Sequence, residues 1–272
     1  MTIEVDVLVP TTGRPCLDAA LHSIAGALLP GDDVTLHVRV VRDDDRRGPA
    51  WARNQAAAQG SAPYLALLDD DDLWLPGRLT GALQVLASRP EVALVCGEAL
   101  PLPGGLWLAG DPRGTGRPAT VLPGDHAHGE LARDCFVALS TATMRRVDWE
   151  SAGGMPEDLR HAEDYALWLR LTRGGRPVHV LPDALARLDT EGVVRASDDV
   201  GAMATGTLEA LRREADPNTM TGDRRGPLLA TLAFEAAKAG RRDEARTRAR
   251  EALDATPGRA MAWRAALRAL IV

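Results

Sequence analysis

The chain has 272 residues and a formal net charge of −6, from 38 acidic and 32 basic side chains. A negative chain is poorly suited to a phosphate backbone, so we expect no nucleic-acid partner. The three cysteines are scattered along the sequence, so we expect no disulfide framework. No apolar run reaches about 18 residues, so we expect no integral membrane segment. Since the sequence also has no signal peptide pattern, we expect a cytoplasmic protein.

The first third of the chain alternates between strand-like and helix-like patterns. Apolar runs predict strands at residues 3–9, 34–41, 64–68 and 92–96, and amphipathic spacing predicts helices at residues 17–28, 50–59 and 76–88. This alternation is typical of parallel strands joined by right-handed crossovers under layers of helices. We therefore predict an α/β fold.

Two predicted strands end in acidic side chains. Asp43 follows the second strand, and four aspartates at residues 69–72 follow the third. Parallel strands place their carboxyl ends at one edge, where open α/β sheets bind ligands. Carboxylate oxygens there would suit Mg²⁺ or Mn²⁺ with a phosphorylated substrate, although such a run alone is also typical of a solvated acidic turn before a helix.

The middle of the chain is less regular. Residues 97–130 are rich in glycine and proline, which predicts a long functional loop. Asp125, His126, His128 and Glu130 could form a metal site, but a solvated polar loop is the simpler interpretation. Further on, we expect strands at residues 135–143, 178–181 and 185–188, and helices at residues 147–155 and 163–171.

After about residue 200 the strand patterns end and alanine, arginine, glutamate and leucine dominate. We expect helices at residues 200–214, 226–239, 242–255 and 260–271, with one tetratricopeptide-like hairpin at residues 227–257. A single hairpin cannot bury both of its faces, so it would pack on the main domain or form a homodimer through the C-terminal helices. The predicted domains are an α/β domain at residues 1–199 and an α-helical extension at residues 200–272.

Several short motifs occur in one order along the α/β part. They are Val-Asp-Val-Leu-Val-Pro-Thr-Thr-Gly-Arg-Pro (5–15), Val-Val-Arg-Asp (40–43), Gly48 with Ala-Arg-Asn (52–54), Leu-Leu-Asp-Asp-Asp-Asp-Leu-Trp (67–74), Ala-Gly-Gly-Met (152–155) and Ala-Glu-Asp-Tyr-Ala-Leu-Trp-Leu-Arg-Leu (162–171). Together they resemble the bacterial family 2 glycosyltransferases over roughly residues 3–190.

The resemblance implies a GT-A fold, with a Rossmann-like, mostly parallel central sheet and flanking helices. Residues 1–96 would form the nucleotide-binding half and residues 97–199 the acceptor side. The implied activity is inverting transfer of a sugar from a nucleoside diphosphate, most simply a UDP-sugar, to a hydroxyl acceptor with Mn²⁺ or Mg²⁺.

The resemblance also implies roles for individual residues. Asp43 would accept a hydrogen bond from the nucleotide base, because a carboxylate is an acceptor; as an alternative it belongs to a polar turn. Arg53 would face the nucleotide or the acidic run, unless it is a surface arginine. The other residues expected along the nucleotide are Pro10, Thr11, Thr12, Arg14, Asp69 and Asp70.

The acidic run carries the family's Asp-x-Asp signature. Asp71 would be the main metal ligand, and Asp69 would hold the ribose or a metal-bound water. Many relatives have a histidine where Asp189 stands, so Asp189 is a candidate substitute ligand.

Glu163 and Asp164 match the family's Glu-Asp pair, in which the aspartate is the catalytic base. Acidic residues also favour the first turn of any helix, which is the structural alternative for this pair.

Two other functions are compatible with parts of the sequence. A nucleotidyltransferase would use a similar cleft, but residues 10–15 lack the glycine-rich basic loop that such an enzyme needs. A non-catalytic helical-repeat adaptor with a degenerate transferase domain is the other alternative. The presence of both Asp71 and Asp164 argues against it.

Overall fold

A computed structural model describes residues 2–101, 120–122, 124–133, 135–188, 199–215 and 222–255. The strands are β1 (Ile3–Thr11), β2 (Val34–Arg42), β3 (Tyr64–Leu67), β4 (Asp72–Trp74), β5 (Leu94–Pro101), β6 (Thr120–Leu122), β7 (Thr143–Arg145) and β8 (Val178–Leu188). The helices are α1 (Leu17–Ile24), α2 (Pro49–Ala58), α3 (Arg78–Ser88), α4 (Gly124–Arg133), α5 (Arg146–Ser151), α6 (Glu163–Thr172), α7 (Val200–Glu214), α8 (Gly222–Lys238) and α9 (Arg242–Ala255).

The strands form one mixed sheet in the order β2-β1-β3-β7-β5-β8-β4, with β6 beside β8. The longer ladders, β1 with β2, β1 with β3 and β5 with β8, are parallel. The shorter ladders of β4, β6 and β7 are antiparallel. The predicted α/β class with a mostly parallel central sheet and flanking helices is confirmed.

Strand β1, between β2 and β3, is buried on both faces, and its side chains alternate between two hydrophobic clusters. Val5, Val7 and Val9 pack with residues of α1 and α3 on one face. Leu8 packs on the other face with β3, α2 and α6. Burial of each such side chain stabilises the fold by about 1.5–3 kcal/mol, which fixes the strand ends that carry the polar residues.

The second half of the α/β part differs from the prediction. The predicted strand at residues 135–143 is wrong: this segment contains a 3-10 helix at Leu139–Thr141, and only Thr143–Arg145 forms a strand. The hydrophobic side chains of Phe136 and Val137 are buried in the core, so a strand-like apolar pattern here reflects burial rather than pairing.

Three further elements were not expected. Strand β4 begins at Asp72, within the acidic run, because it pairs antiparallel with β8. Helix α4 and strand β6 lie in the predicted irregular segment at residues 97–130. The helix predicted at residues 147–155 is shorter, and Gly153 and Gly154 follow it with φ angles of 77° and 69°.

Helices α7, α8 and α9 confirm an all-α C-terminal region. Ala210 and Leu211 of α7 join the main core cluster, whereas α8 and α9 pack on each other through alanines such as Ala233 and Ala245. The helix predicted at residues 260–271 lies outside the described residues. None of the helices in the described part of the chain has the length and hydrophobicity of a membrane-spanning helix.

Candidate active site

A cleft of about 730 Å³ opens at the carboxyl ends of β1, β2 and β3. It brings together residues that lie up to 193 positions apart, from Pro10 to Met203. Its lining includes every predicted nucleotide residue, the acidic run and the Glu-Asp pair: Pro10, Thr11, Thr12, Arg14, Asp43, Arg53, Asp69, Asp70, Asp71, Asp72, Glu163 and Asp164.

The end of β1 holds the acidic run by direct contacts. The hydroxyl of Thr11 donates to Asp70 Oδ2 at 2.5 Å. Arg14 forms ion pairs with Asp70 and, at 2.9 Å, with Asp71. These contacts raise the pKa of Arg14 above its usual value despite the opposing effect of burial, so the guanidinium stays charged and neutralises part of the acidic run.

Ser140 holds the other side of the acidic run. Its hydroxyl accepts a hydrogen bond from the backbone N–H of Asp69 at 3.1 Å and donates to Asp72 Oδ2 at 2.6 Å. Its carbonyl accepts from Trp74 Nε1 at 2.9 Å and from Arg78 at 3.1 Å. Ser140 therefore ties both ends of the acidic run to the 3-10 helix.

Arg78 supports this arrangement from the interior. Its guanidinium stacks over the ring of Trp74 at 4.3 Å and donates to the carbonyl of Ala142 at 2.7 Å. Burial lowers the pKa of Arg78 to about 9. Ser140 and Arg78 were not predicted, because no local sequence pattern indicates which residues pack beneath a loop.

The acidic run contains a donor set that fits a divalent cation. Asp69, Asp71 and Asp72 each offer a carboxylate oxygen, and these three oxygens lie within 4.8 Å of one another. Hard carboxylate oxygens are the ligands that Mg²⁺ and Mn²⁺ prefer. Asp72 was not predicted as a ligand, and the predicted ligand Asp189 lies outside the described residues.

Arg53 connects the acidic run to the Glu-Asp pair. Its side chain is only 4% exposed and donates to Asp69 at 2.5 Å and to Glu163 at 2.9 Å. Burial alone would lower the pKa of Arg53, but the charges of Asp69 and Glu163 outweigh it and raise that pKa. Arg53 is thus a buried, permanently charged bridge across the base of the cleft.

Glu163 and Asp164 begin helix α6, immediately after Ala162, which has the left-handed φ angle of 61°. Burial and the neighbouring Glu163 carboxylate raise the pKa of Asp164 to about 7, although Arg53 and a 2.7 Å hydrogen bond from Tyr165 N oppose the shift. A carboxylate with such a pKa can take up a proton near neutral pH.

Asp43 lies at the end of β2, as predicted, and is buried. Its two carboxylate oxygens accept hydrogen bonds from the backbone N–H groups of Arg47 and Gly48, at 2.8 and 2.7 Å. It therefore fixes the turn that leads into α2. Carboxylate oxygens have further lone pairs, so this contact leaves capacity to accept from a ligand.

Two of the sequence motifs meet through Asn54 and Met155. The Asn54 side chain accepts from Met155 N at 3.0 Å and donates to Met155 O at 2.9 Å. A Cβ atom on Gly154 would lie 2.6 Å from Asn54 Oδ1, so the glycine permits this close approach. The contact holds the segment before α6 against the helix that carries Arg53.

The polar loop at residues 125–130 is not brought to the cleft in the part that the structure describes. His128, on α4, is buried and its Nδ1 lies 3.0 Å from the Thr172 hydroxyl. Within the described residues, the acidic run is the one set of carboxylate, histidine or cysteine side chains grouped closely enough for a metal ion.

Comparisons with known proteins agree with this geometry. The glycosyl transferase family 2 model matches residues 16–108. The amylovoran biosynthesis glycosyltransferase AmsE of Erwinia amylovora is 29% identical over 153 residues, which are 56% of this chain and 52% of AmsE. Residues 16–108 are therefore similar to glycosyl transferase family 2.

A second similar protein is the succinoglycan biosynthesis protein ExoU of Rhizobium meliloti (strain 1021). It is 42% identical over 62 residues, which are 23% of this chain and 18% of ExoU. The chain thus aligns with about half or less of the length of these two relatives.

Solved structures confirm the predicted GT-A fold of this chain. One is the mannosyltransferase PcManGT from Pyrobaculum calidifontis in complex with GDP-Man and Mn²⁺, with a TM-score of 0.59 at 19% sequence identity. The match covers 100% of this chain and 81% of the PcManGT chain. Another is S. aureus TarS 1-349 in complex with UDP-GlcNAc, with a TM-score of 0.58 at 15% sequence identity. This match covers 94% of this chain and 82% of the TarS chain.

Proposed function

We propose that this protein is an inverting glycosyltransferase that moves a sugar from a nucleoside diphosphate to a hydroxyl acceptor. The observation that supports this most is the placement of Asp164, with its pKa raised to about 7, in the same cleft as the acidic run. A general base and a site for a charged leaving group are the two components that this reaction needs.

The nucleotide would lie along the ends of β1 and β2. Pro10, Thr11 and Thr12 line the cleft there, and Asp43 has free acceptor capacity toward the base. The described solved structures carry UDP-GlcNAc or GDP-Man, which supports a nucleoside diphosphate sugar as donor. We propose a UDP-sugar as the first donor to test.

The diphosphate would be held at the acidic run. Asp71, with Asp69 and Asp72 beside it, would hold Mn²⁺ or Mg²⁺, and such an ion when bound neutralises the developing charge of the departing nucleotide. Arg14 can exchange its contact with Asp71 for a contact with a phosphate oxygen, because its side chain is 33% exposed and a guanidinium binds either anion.

Asp164 would accept the proton of the acceptor hydroxyl as that oxygen attacks the anomeric carbon. Attack from the side opposite the diphosphate inverts the anomeric centre, and no enzyme-bound intermediate forms. Arg53 lies between the two sites and holds Glu163 in place through an ion pair at 2.9 Å. The raised pKa of Asp164 allows this carboxylate to change protonation near neutral pH.

The test is a screen of nucleoside diphosphate sugars with and without Mn²⁺, read first by thermal shift and then by release of the free nucleoside diphosphate. We expect one donor to raise the Tm in a Mn²⁺-dependent manner and to be slowly hydrolysed in the absence of an acceptor. If no donor is bound or cleaved, the enzyme proposal fails and the adaptor alternative is favoured.

A further inference from the structure

Helix α7 lies beside helix α6 and runs in the same direction. Near the middle of α7, Gly206 packs against His161, just before α6. At its end, Glu214 forms ion pairs with Arg170 at 2.7 Å and with Arg173 at 2.9 Å. The first helix of the C-terminal region is therefore attached along the whole length of the helix that begins with Glu163 and Asp164.

The contact at Gly206 is between two backbones. A Cβ atom at this position would lie 2.4 Å from the carbonyl oxygen of His161 and 2.8 Å from its carbonyl carbon. Atoms of a backbone cannot rotate away as the end of a flexible side chain can, so any side chain here must move either α7 or the segment at His161.

The segment that Gly206 contacts has little freedom of its own. Ala162 follows His161 directly and has a left-handed φ of 61°, a conformation that costs a non-glycine residue about 1–2 kcal/mol and needs support from its surroundings. Met203, one turn before Gly206, lines the same cleft as His161 and Asp164.

We propose that α7 is a positioning element for the catalytic base, with Gly206 as the positioning residue that sets the location of His161, Ala162 and therefore Asp164. This inference rests on the proposed function, since it gives the C-terminal region a role in that reaction. Gly206 itself would not touch the substrate; it acts through the backbone of His161.

Two glycines on α7 provide a matched pair for the test. The three atoms nearest to a Cβ atom at Gly201 would be side-chain atoms of Asp199 and Glu235, at 3.6–3.7 Å, which is ordinary contact. Both variants, Gly206→Ala and Gly201→Ala, replace a glycine of α7 by alanine, which has the higher helix propensity. A difference between the two variants therefore reports the contact with His161.

We expect Gly206→Ala to lower kcat about tenfold or more, because a small displacement of a reacting group has a large effect on rate. The KM for the donor and the calorimetric affinity for UDP with Mn²⁺ should remain at the parental values, since the nucleotide residues lie on other elements. Gly201→Ala should retain parental kcat. Parental kcat in Gly206→Ala, or an equal loss in both variants, would overturn the inference.

Hydrogen exchange supplies a readout that does not depend on activity. Amides of residues 161–166 should exchange faster in Gly206→Ala than in Gly201→Ala, and equal exchange would refute the positioning role even if no donor is cleaved. Failure of the parental protein to cleave any donor would instead count against the proposed function.

If Gly206→Ala does not yield folded protein, Glu214→Gln tests the same element at its other end. It weakens the ion pairs with Arg170 and Arg173 without adding volume. We expect a reduced kcat with unchanged UDP affinity, and an unchanged kcat would contradict the proposal.

Discussion

Arg53 and Glu163 lie 110 positions apart in the chain, and their side chains form a buried ion pair with an N–O distance of 2.9 Å. The same guanidinium contacts Asp69. One side chain thus joins the acidic run at the end of β3 to the first turn of α6. The geometry of the cleft depends on this bridge, which leads to the first prediction.

Replacement of Arg53 by alanine should destabilise the protein strongly. Removal of one partner from a buried ion pair leaves an uncompensated charge and costs about 3–5 kcal/mol, and here both Asp69 and Glu163 lose their partner. The measurement is the free energy of unfolding in urea. Arg212→Ala, which breaks an exposed pair with Glu209, is the control and should have little effect.

Replacement of Asp164 by asparagine should abolish sugar transfer while the protein still binds the nucleoside diphosphate. Asparagine retains the shape of the side chain but cannot accept the proton of the acceptor hydroxyl. Initial rates and calorimetric affinity for the nucleotide measure the two effects. Transfer at a near-parental rate would show that another group is the base.

The raised pKa of Asp164 also predicts a pH dependence. The base must be ionised, and its pKa is about 7, so kcat/KM should rise with pH through about 7 and level off above about 8. Asp164→Asn, which should not transfer sugar, should show no rise of this kind. A parental profile that is flat between about pH 6 and 8 would contradict the assignment.

Replacement of Asp71 by alanine should weaken binding of a nucleoside diphosphate in the presence of Mn²⁺ by about tenfold or more, since loss of a coordinating group or its support typically costs 10–100-fold in metal affinity. Isothermal titration with and without Mn²⁺ measures this. Asp18→Ala, an exposed aspartate on α1, is the control for the change in net charge. Equal affinities in Asp71→Ala and the parental protein would exclude Asp71 as a ligand.

Replacement of Ala162 by glycine should stabilise the protein by up to about 1 kcal/mol, because glycine adopts a positive φ without the steric cost that alanine has there. Ala166→Gly, in the middle of the same helix, should instead destabilise by about 1 kcal/mol or more. Urea denaturation of both variants gives the comparison. Destabilisation by both would indicate that the left-handed conformation of Ala162 is not a source of strain.

The sequence predicts the first half of the fold well because its elements are local and regular. Strands β1, β2, β3 and β5 and helices α1 to α3 follow from apolar periodicity, and parallel pairing places Asp43 and the acidic run at one edge. Short β4 and β7 depend on partners far along the chain, such as β8 for β4. Local patterns do not contain that information.

For the candidate site, sequence motifs identify residues but not their contacts. The sequence predicts that Arg53 faces either the nucleotide or the acidic run. In the structure the Arg53 side chain contacts the acidic run at Asp69 and also contacts Glu163. Ser140 contacts the acidic run through its hydroxyl. Gly206 approaches the backbone of His161 because it has no side chain. Neither feature is distinctive in a sequence that contains 26 glycines.

The short strand β7 has a consequence for attempts to divide the protein. It pairs with β3 through three residues and with β5 through one, and so it lies between the two parallel blocks of the sheet. A fragment ending at Pro101 would leave the side of β3 that faces β7 as an open edge, and such edges promote aggregation. A cut after Arg145 would keep β7 paired with β3 but would still separate β5 from β8. Each cut therefore leaves an open edge on the N-terminal fragment, which makes this sheet a poor choice for a split-protein reporter.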